Sequence, residues 1–294
     1  MSATSEVPAA FRHAAGDRGA LRLIREAISD IRSRRRLVRY LVQADIRKRG
    51  ADTLLGNIWW VLDPLLQMVV YVVFVTIIVQ KPLPDYPLFI FAAILPWKWF
   101  TATMGDSTSS IVARDQLIKQ IQFPKIVLPT AASVAGIVSF GFGTIALLLL
   151  MLLYPHRISP YLLLIPIIAA VQFVFTLACS YLMAAGNVFF RDLGNVESHV
   201  LRLIWFLSPG LYSLDVLDGL KIFKEHPFLR TLAEANPFAI LFTAYRTVIY
   251  GTSTSPPGLP DFASLLALLA ASLVLLAFAT VIFKRLEPNF AKVV

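Results

Sequence analysis

The sequence predicts an all-α integral membrane protein: six transmembrane helices, an N-terminal amphipathic interfacial helix, and re-entrant helices between spans five and six. Three observations predict it. Of the 294 residues, 57% are hydrophobic and only 15% are charged, against about 25% charged in an average soluble domain. A soluble fold of this length has no means of hiding so much apolar surface. The apolar residues also gather into runs of roughly 20, the length that crosses a bilayer. Finally, 27 Lys and Arg outnumber 18 Asp and Glu, and the excess crowds toward the N-terminus. In a soluble protein a net charge of +9 would suggest a nucleic-acid partner. Here an anionic membrane face accounts for it, and no nucleic acid is expected.

Residues 1–52 form a basic N-terminal segment without the apolar core of a cleaved signal peptide. Within it, residues 20–44 place Leu21, Ile24, Ile28, Ile31, Val38 and Val42 near helical spacing, with arginines between them. This pattern predicts an amphipathic helix on the inner leaflet. The remainder, 53–294, is a six-span domain with runs at about 54–79, 87–109, 126–153, 161–188, 200–216 and 263–283. The fifth is short and is interrupted by Pro209 and Gly210. After it, 217–250 is neither an ordinary polar loop nor a clear span, and reads as an outer re-entrant region broken at Asn236–Pro237. With the N-terminus in the cytoplasm, 20 Lys and Arg fall on the inner side and 6 on the outer side. The positive-inside rule therefore puts both termini in the cytoplasm.

Two charges stand at membrane depth, where a charge is costly and points to function. Asp63 lies about 14 Å and Lys98 about 17 Å from the cytoplasmic ends of their spans, so a salt bridge is within reach. Trp59 and Trp60 suit the interfacial belt. Trp97, Trp99 and Phe100 are too deep for a belt; with Tyr71 and Tyr212 they are candidates for a path that stacks on sugar rings. The connection 113–125 mixes Leu117, Ile118 and Ile121 with charged and amide side chains and ends at Pro124, as a short surface helix would. Arg114, Asp115, Leu117, Lys119 and Phe123 are its candidate contacts to a soluble motor. Arg35, Arg39 and Arg47 are placed to meet the phosphates of a lipid entering from the inner leaflet. No P-loop and no His-Glu-x-x-His run occurs. His13, His156, His199 and His226 are scattered, so no metal site is expected, and Cys179 reads as a small apolar filler.

The string Asp45-Ile-Arg-Lys-Arg, followed by Leu55-Gly-Asn-Ile-Trp-Trp-Val-Leu-Asp-Pro-Leu-Leu-Gln67, resembles the opening of permease subunits of ABC exporters for bacterial cell-surface polysaccharides. O-antigen (Wzm-type) and teichoic acid exporters belong to that group. Leu95-Pro-Trp-Lys-Trp-Phe100, Phe123-Pro-Lys-Ile-Val-Leu-Pro129, Phe190-Arg-Asp192, Leu207-Ser-Pro-Gly-Leu-Tyr212, Asn236-Pro237 and Tyr245-Arg246 follow in matching order. Lys98 departs from the usual uncharged residue between those aromatics. The resemblance implies a multi-pass half-transporter of the bacterial inner membrane. Two permease chains would form a homodimer, two separate ATPase chains would hold ATP and Mg, and this chain would carry no cofactor. It also implies that the N-terminal helix and 113–125 contact the ATPase, and that a lipid-linked polysaccharide passes between the permeases. The Arg- and Ala-rich composition suggests a high-GC genome, where in actinobacteria the cargo would be a lipid-linked galactan precursor. Competing expectations are an exporter of drugs or small lipids, a channel, and a membrane-embedded glycosyl- or phosphotransferase using Asp215 or Asp218.

Overall fold

In the computed structural model, residues 19–50, 54–80 and 83–293 are described, and all their regular structure is helical. The start of the basic segment, including Arg12 and Arg18, lies outside the described residues, as does Lys81. Where one amphipathic helix is expected there are two, α1 (Ala20–Ser33) and α2 (Arg35–Gly50), separated at Arg34. After α2 come α3 (Trp59–Phe74), extended by a π-helical turn Val75–Val79, and α4 (Tyr86–Ser109). Then follow α5 (Asp115–Gln120), α6 (Val127–Met151), α7 (Ile165–Phe189) and α8 (Leu193–Leu207). Short helices α9 (Asp215–Asp218), α10 (Lys221–Glu225) and α11 (Pro227–Ala235) lead to α12 (Pro237–Ile249) and the long α13 (Phe262–Val293).

Among the described residues, five helical stretches are long and apolar enough to cross a membrane: those containing α3, α4, α6, α7 and α13. The expected fifth span, 200–216, instead holds α8, which starts earlier and stops at Leu207. Its length of 15 residues is about 22 Å, short of the roughly 30 Å hydrocarbon core. The physical reason is Pro209: a proline removes an intrahelical donor and clashes with the preceding turn, so the chain leaves the helix at Ser208 in an extended conformation. Prolines serve the opposite purpose at helix starts, where the missing N–H costs nothing. Pro87, Pro166, Pro227 and Pro237 each sit in the first turn of their helices.

α4 is the axis of the bundle. Leu88 through Ile94 are all at most 3% exposed, and α3, α6, α7, α8 and α12 pack around them. α6 approaches α4 closely because Gly136 and Gly143, seven residues apart, face it. A Cβ at Gly136 would run into the Thr103 hydroxyl and the Trp99 indole, and one at Gly143 into Leu95. Small residues at such crossings let apolar helices gain dispersion contacts where lipid gives no hydrophobic drive. α7 and α13 pack along their length. α3, by contrast, leaves Leu66, Val69, Val70, Val73 and Phe74 exposed.

A second apolar cluster closes one end of the bundle. Ala27 of α1, Leu41 of α2, Ile118 of α5 and Phe123 join Ile111, Ile126, Tyr181, Phe283 and Phe290 there. This is the basic end, and it holds both the N-terminal helices and the last turns of α13. Lys284 ties it together, with its Nζ 3.2 Å from Glu26, 2.8 Å from Asp30 and 2.7 Å from Glu287.

Candidate transport path and coupling surface

The fold brings the deep charges together. Lys98 of α4 and Asp63 of α3 form an ion pair with Nζ to Oδ2 of 2.6 Å. Their side chains remain 33% and 59% exposed. Ionised groups at this depth are stable only beside protein or water, so α3 cannot turn this face to lipid.

Two cavities meet at that pair. One, of about 770 Å³, is lined by Tyr71, Trp97, Lys98, Glu197, Arg202 and Trp205 among others. The second, of about 480 Å³, lies against Trp59, Trp60, Asp63, Trp99 and Phe140. Lys98 and Thr101 line both. Three aromatics cluster on the first wall: Trp205 lies 5.4 Å from Trp97 and 5.9 Å from Tyr71, ring centre to ring centre. Trp97 meets Phe238 edge-on at 4.9 Å. Of the other expected path residues, Trp99 is 2% exposed against Phe140, and Phe100 packs inside the core on Phe175 and Phe238. Tyr212 belongs to the irregular stretch after α8, with its hydroxyl directed to the Leu207 carbonyl.

Glu197, on α8, also faces the larger cavity, and neither carboxylate oxygen has a hydrogen-bond partner. Sequence reading passes over Glu197 because a lone carboxylate near a span end carries no signal until Thr108 and Asn187 are folded against it.

Irregular backbone at 208–212 is held by one side chain. Arg246, buried on α12, donates to the carbonyls of Phe89, Pro209, Gly210 and Tyr212. Its guanidinium also lies 3.8 Å from the centre of the Phe89 ring. Asn236 caps α12 by accepting from the Phe238 N–H at 2.9 Å, and it donates to the Ser208 hydroxyl at 2.8 Å. The Asn236–Pro237 turn thereby sits beside Ser208, near the depth of Trp97, while Tyr250 at the far end of α12 bonds the Pro84 carbonyl. Asp215 is exposed at the start of α9, and the side chain of Asp218 lies outside the described residues.

At the end of the bundle opposite the basic end, Asp85 accepts from Arg157 at 2.9 Å and meets His156 at 2.8 Å. Arg157 also donates to the carbonyls of Tyr250, Thr252 and Ser255. Burial raises the Asp85 pKa, but hydrogen bonds and charge from His156 and Arg157 outweigh it and hold the carboxyl below its usual 3.8.

At the basic end, the expected coupling segment is a one-and-a-half-turn helix that contacts α13, tied to α2 by the residue before it. Arg114 bonds Asp45 of α2 at 2.6 Å and the Ser110 carbonyl at 3.3 Å. Asp115 caps its own helix start by accepting from the Gln116 N–H. Ile118 and Phe123 are buried, Leu117 is half-buried, and Lys119 is exposed. With Gln122 and Lys125, three of these residues (Ile118, Lys119 and Phe123) line a cleft of about 570 Å³. The Lys125 backbone N–H donates to Glu287, joining this segment to the Lys284 cluster. Arg35, Arg39 and Arg47 are all exposed on α2. Among the described residues no group of three or more His, Cys, Asp or Glu is placed to hold a metal ion.

No protein-family model matches the chain. Curated relatives do. It is 34% identical over 272 residues to the O-antigen export system permease protein RfbA of Myxococcus xanthus, covering 92% of this chain and 99% of that one. Two proteins of the same name from Klebsiella pneumoniae are 26% and 25% identical, each over 86% of this chain and 93% of theirs.

Proposed function

The chain belongs to the family of O-antigen export system permeases, a multi-pass membrane subunit of an ABC polysaccharide exporter, and from that premise we propose how it works. Two copies pair as a homodimer on two ATPase subunits, which hold the ATP and Mg. Both termini face the cytoplasm, in keeping with the joining of α1, α2 and the end of α13 at the basic end. The chain crosses the membrane six times, with α8 and the irregular stretch 208–212 after it supplying the crossing that no single helix provides. α11 and α12 then form a re-entrant hairpin whose tip is the Asn236–Pro237 turn.

The single observation that supports a glycan path best is the wet cavity walled by Tyr71, Trp97 and Trp205 beside the Lys98–Asp63 pair. Flat aromatic faces let a sugar chain slide without a deep binding minimum. α5, fixed to α2 through Arg114 and Asp45, is the surface on which nucleotide-driven closure of the ATPases acts. The arginines of α2 meet the lipid phosphate at entry. The Arg- and Ala-rich composition favours a lipid-linked galactan as cargo.

The test is a quantitative pull-down from native membranes through a C-terminal tag. The expected result is a P-loop ATPase recovered in equal amount with the chain. Loss of it under conditions that keep other transporters intact overturns the half-transporter assembly. Export of the glycan by a strain carrying Trp97→Leu should fall while assembly persists; unchanged export removes Trp97 from the path.

A further inference from the structure

The Lys98–Asp63 pair is unusual in being both deep and partly exposed. Lys98 stands midway along α4, twelve residues from Tyr86 and eleven from Ser109, about 17 Å from either end. Yet Lys98 lines a cavity on either side of it, and Asp63 lines the smaller of the two. A purely structural tie at such depth would be expected to exclude water, because desolvation strengthens each contact it keeps. An accessible pair is weak and exchanges partners easily.

The larger cavity is lined by two further cations. Arg191 and Arg202 line it, and neither has an ion-pair partner among the described residues. Arg191 lies between α7 and α8 at the basic end, and Arg202 lies one turn before Trp205, which packs on Trp97. The three cations therefore step inward from the basic end to mid-depth. Guanidinium forks match phosphate oxygens in pairs, while an ammonium is a compact point charge. A single carboxylate would satisfy one of these groups; a diphosphate can satisfy several in succession.

We propose that Lys98 is an exchangeable anion site, held by Asp63 when the cavity is empty and taken over by the diphosphate of the lipid-linked cargo as it passes mid-depth. Asp63 then has two consequences. It neutralises Lys98 between passages, which removes the cost of an unpaired deep cation. It also competes with the cargo, so that the headgroup is recognised but not trapped. This inference rests on the reading of the chain as an exporter of lipid-linked glycan.

The test is calorimetric titration of the full-length chain in nanodiscs, without nucleotide, using farnesyl diphosphate, farnesol and inorganic pyrophosphate as probes. Farnesyl diphosphate should bind and farnesol should bind far more weakly. Asp63→Asn should tighten farnesyl diphosphate binding by about fivefold, since an accessible pair no longer has to be broken. Lys98→Gln should weaken it severalfold, with Arg191 and Arg202 keeping the remainder, and Lys98→Arg should retain it. A structural tie predicts the opposite sign for Asp63→Asn, so unchanged or weaker binding there overturns the proposal. So does unchanged binding in Lys98→Gln, or farnesol binding equal to the diphosphate. If Asp63→Asn does not fold, Asp63→Ser takes its place, and the Lys98→Gln result decides if neither does. Pyrophosphate binding as tightly as farnesyl diphosphate, in a Lys98-dependent manner, supports the site and assigns it to the free anion rather than the lipid headgroup. The titration needs no ATPase, so a failed pull-down and a failed anion site are separate results.

Discussion

Removing the Arg246 guanidinium should unfasten the irregular stretch 208–212. Four carbonyls accept from this one side chain, and within the stretch itself those of Pro209 and Gly210 belong to buried residues. A hydrogen bond from a charged donor is worth about 1.5–3 kcal/mol net, and a buried acceptor left alone forfeits it. Counting only the two buried carbonyls gives about 3–6 kcal/mol for Arg246→Gln. Some is returned, because a buried cation with its own desolvation cost is also removed. We therefore expect a loss of about 4 kcal/mol, which lowers the melting temperature by about 10 °C in a chain of this size. Arg246→Lys should recover less than half: an ammonium cannot span carbonyls on both sides as the planar fork does. The assay is thermal unfolding of the purified chain in one detergent, with glycan export measured in the same strains. If Arg246→Gln melts within about 2 °C of wild type, a difference worth under 1 kcal/mol, the stretch is held by something other than this side chain and the reasoning fails.

Three further outcomes are expected. Arg114→Ala, which cuts α5 from Asp45, should leave ATP hydrolysis in the assembled complex while export falls severalfold; export and hydrolysis falling together would show that α5 is not the coupling contact. Gly136→Leu should destabilise the chain by about 1–3 kcal/mol, as overpacking does, because its side chain would enter the space of Thr103 and Trp99; a wild-type melting curve would show that α4 and α6 separate freely. Asp85, whose carboxyl titrates below its usual 3.8, contributes stability that is complete above that value and is lost as pH falls through the lowered one. The stability difference between wild type and Asp85→Asn should therefore be constant at neutral pH and shrink below about pH 4; a difference that stays constant through that range would show that the carboxylate is not held by these contacts.

The parts of this fold that were legible in the sequence are those that obey one-dimensional rules. Long apolar runs gave α3, α4, α6, α7 and α13 because a bilayer sets a minimum length and a helix must satisfy its own backbone. The depths of Asp63 and Lys98 could be counted along their helices, and equal depth is all that a pair on adjacent helices requires. α8 was less legible, because hydropathy continues through Leu211 while Pro209 ends the helix: apolarity says that a segment is buried, not that its hydrogen bonds are helical. The amphipathic spacing of residues 20–44 is real, but the break at Arg34 follows from α1 turning to reach Lys284, a contact 254 residues away that no local pattern encodes.

The same limit explains which site residues escaped notice. Arg246 sits in an apolar helix among aromatics, where a sequence reading sees only one more outer basic residue. Its role exists because the chain breaks at Pro209, thirty-seven positions earlier, and leaves carbonyls at a depth without water. A buried arginine and a distant broken helix are thus one feature: each would be costly alone, and each supplies what the other lacks. Asp85 and Arg157 repeat the logic at the other loops, where Arg157 satisfies the carbonyls of Tyr250, Thr252 and Ser255. In an apolar chain with 15% charged residues, a charge that is not on the basic end is best read by asking which irregular backbone it completes. Lys98 fails that test, since its Nζ meets a carboxylate and no broken helix. That exception sets it apart from the structural arginines, as the proposed anion site requires.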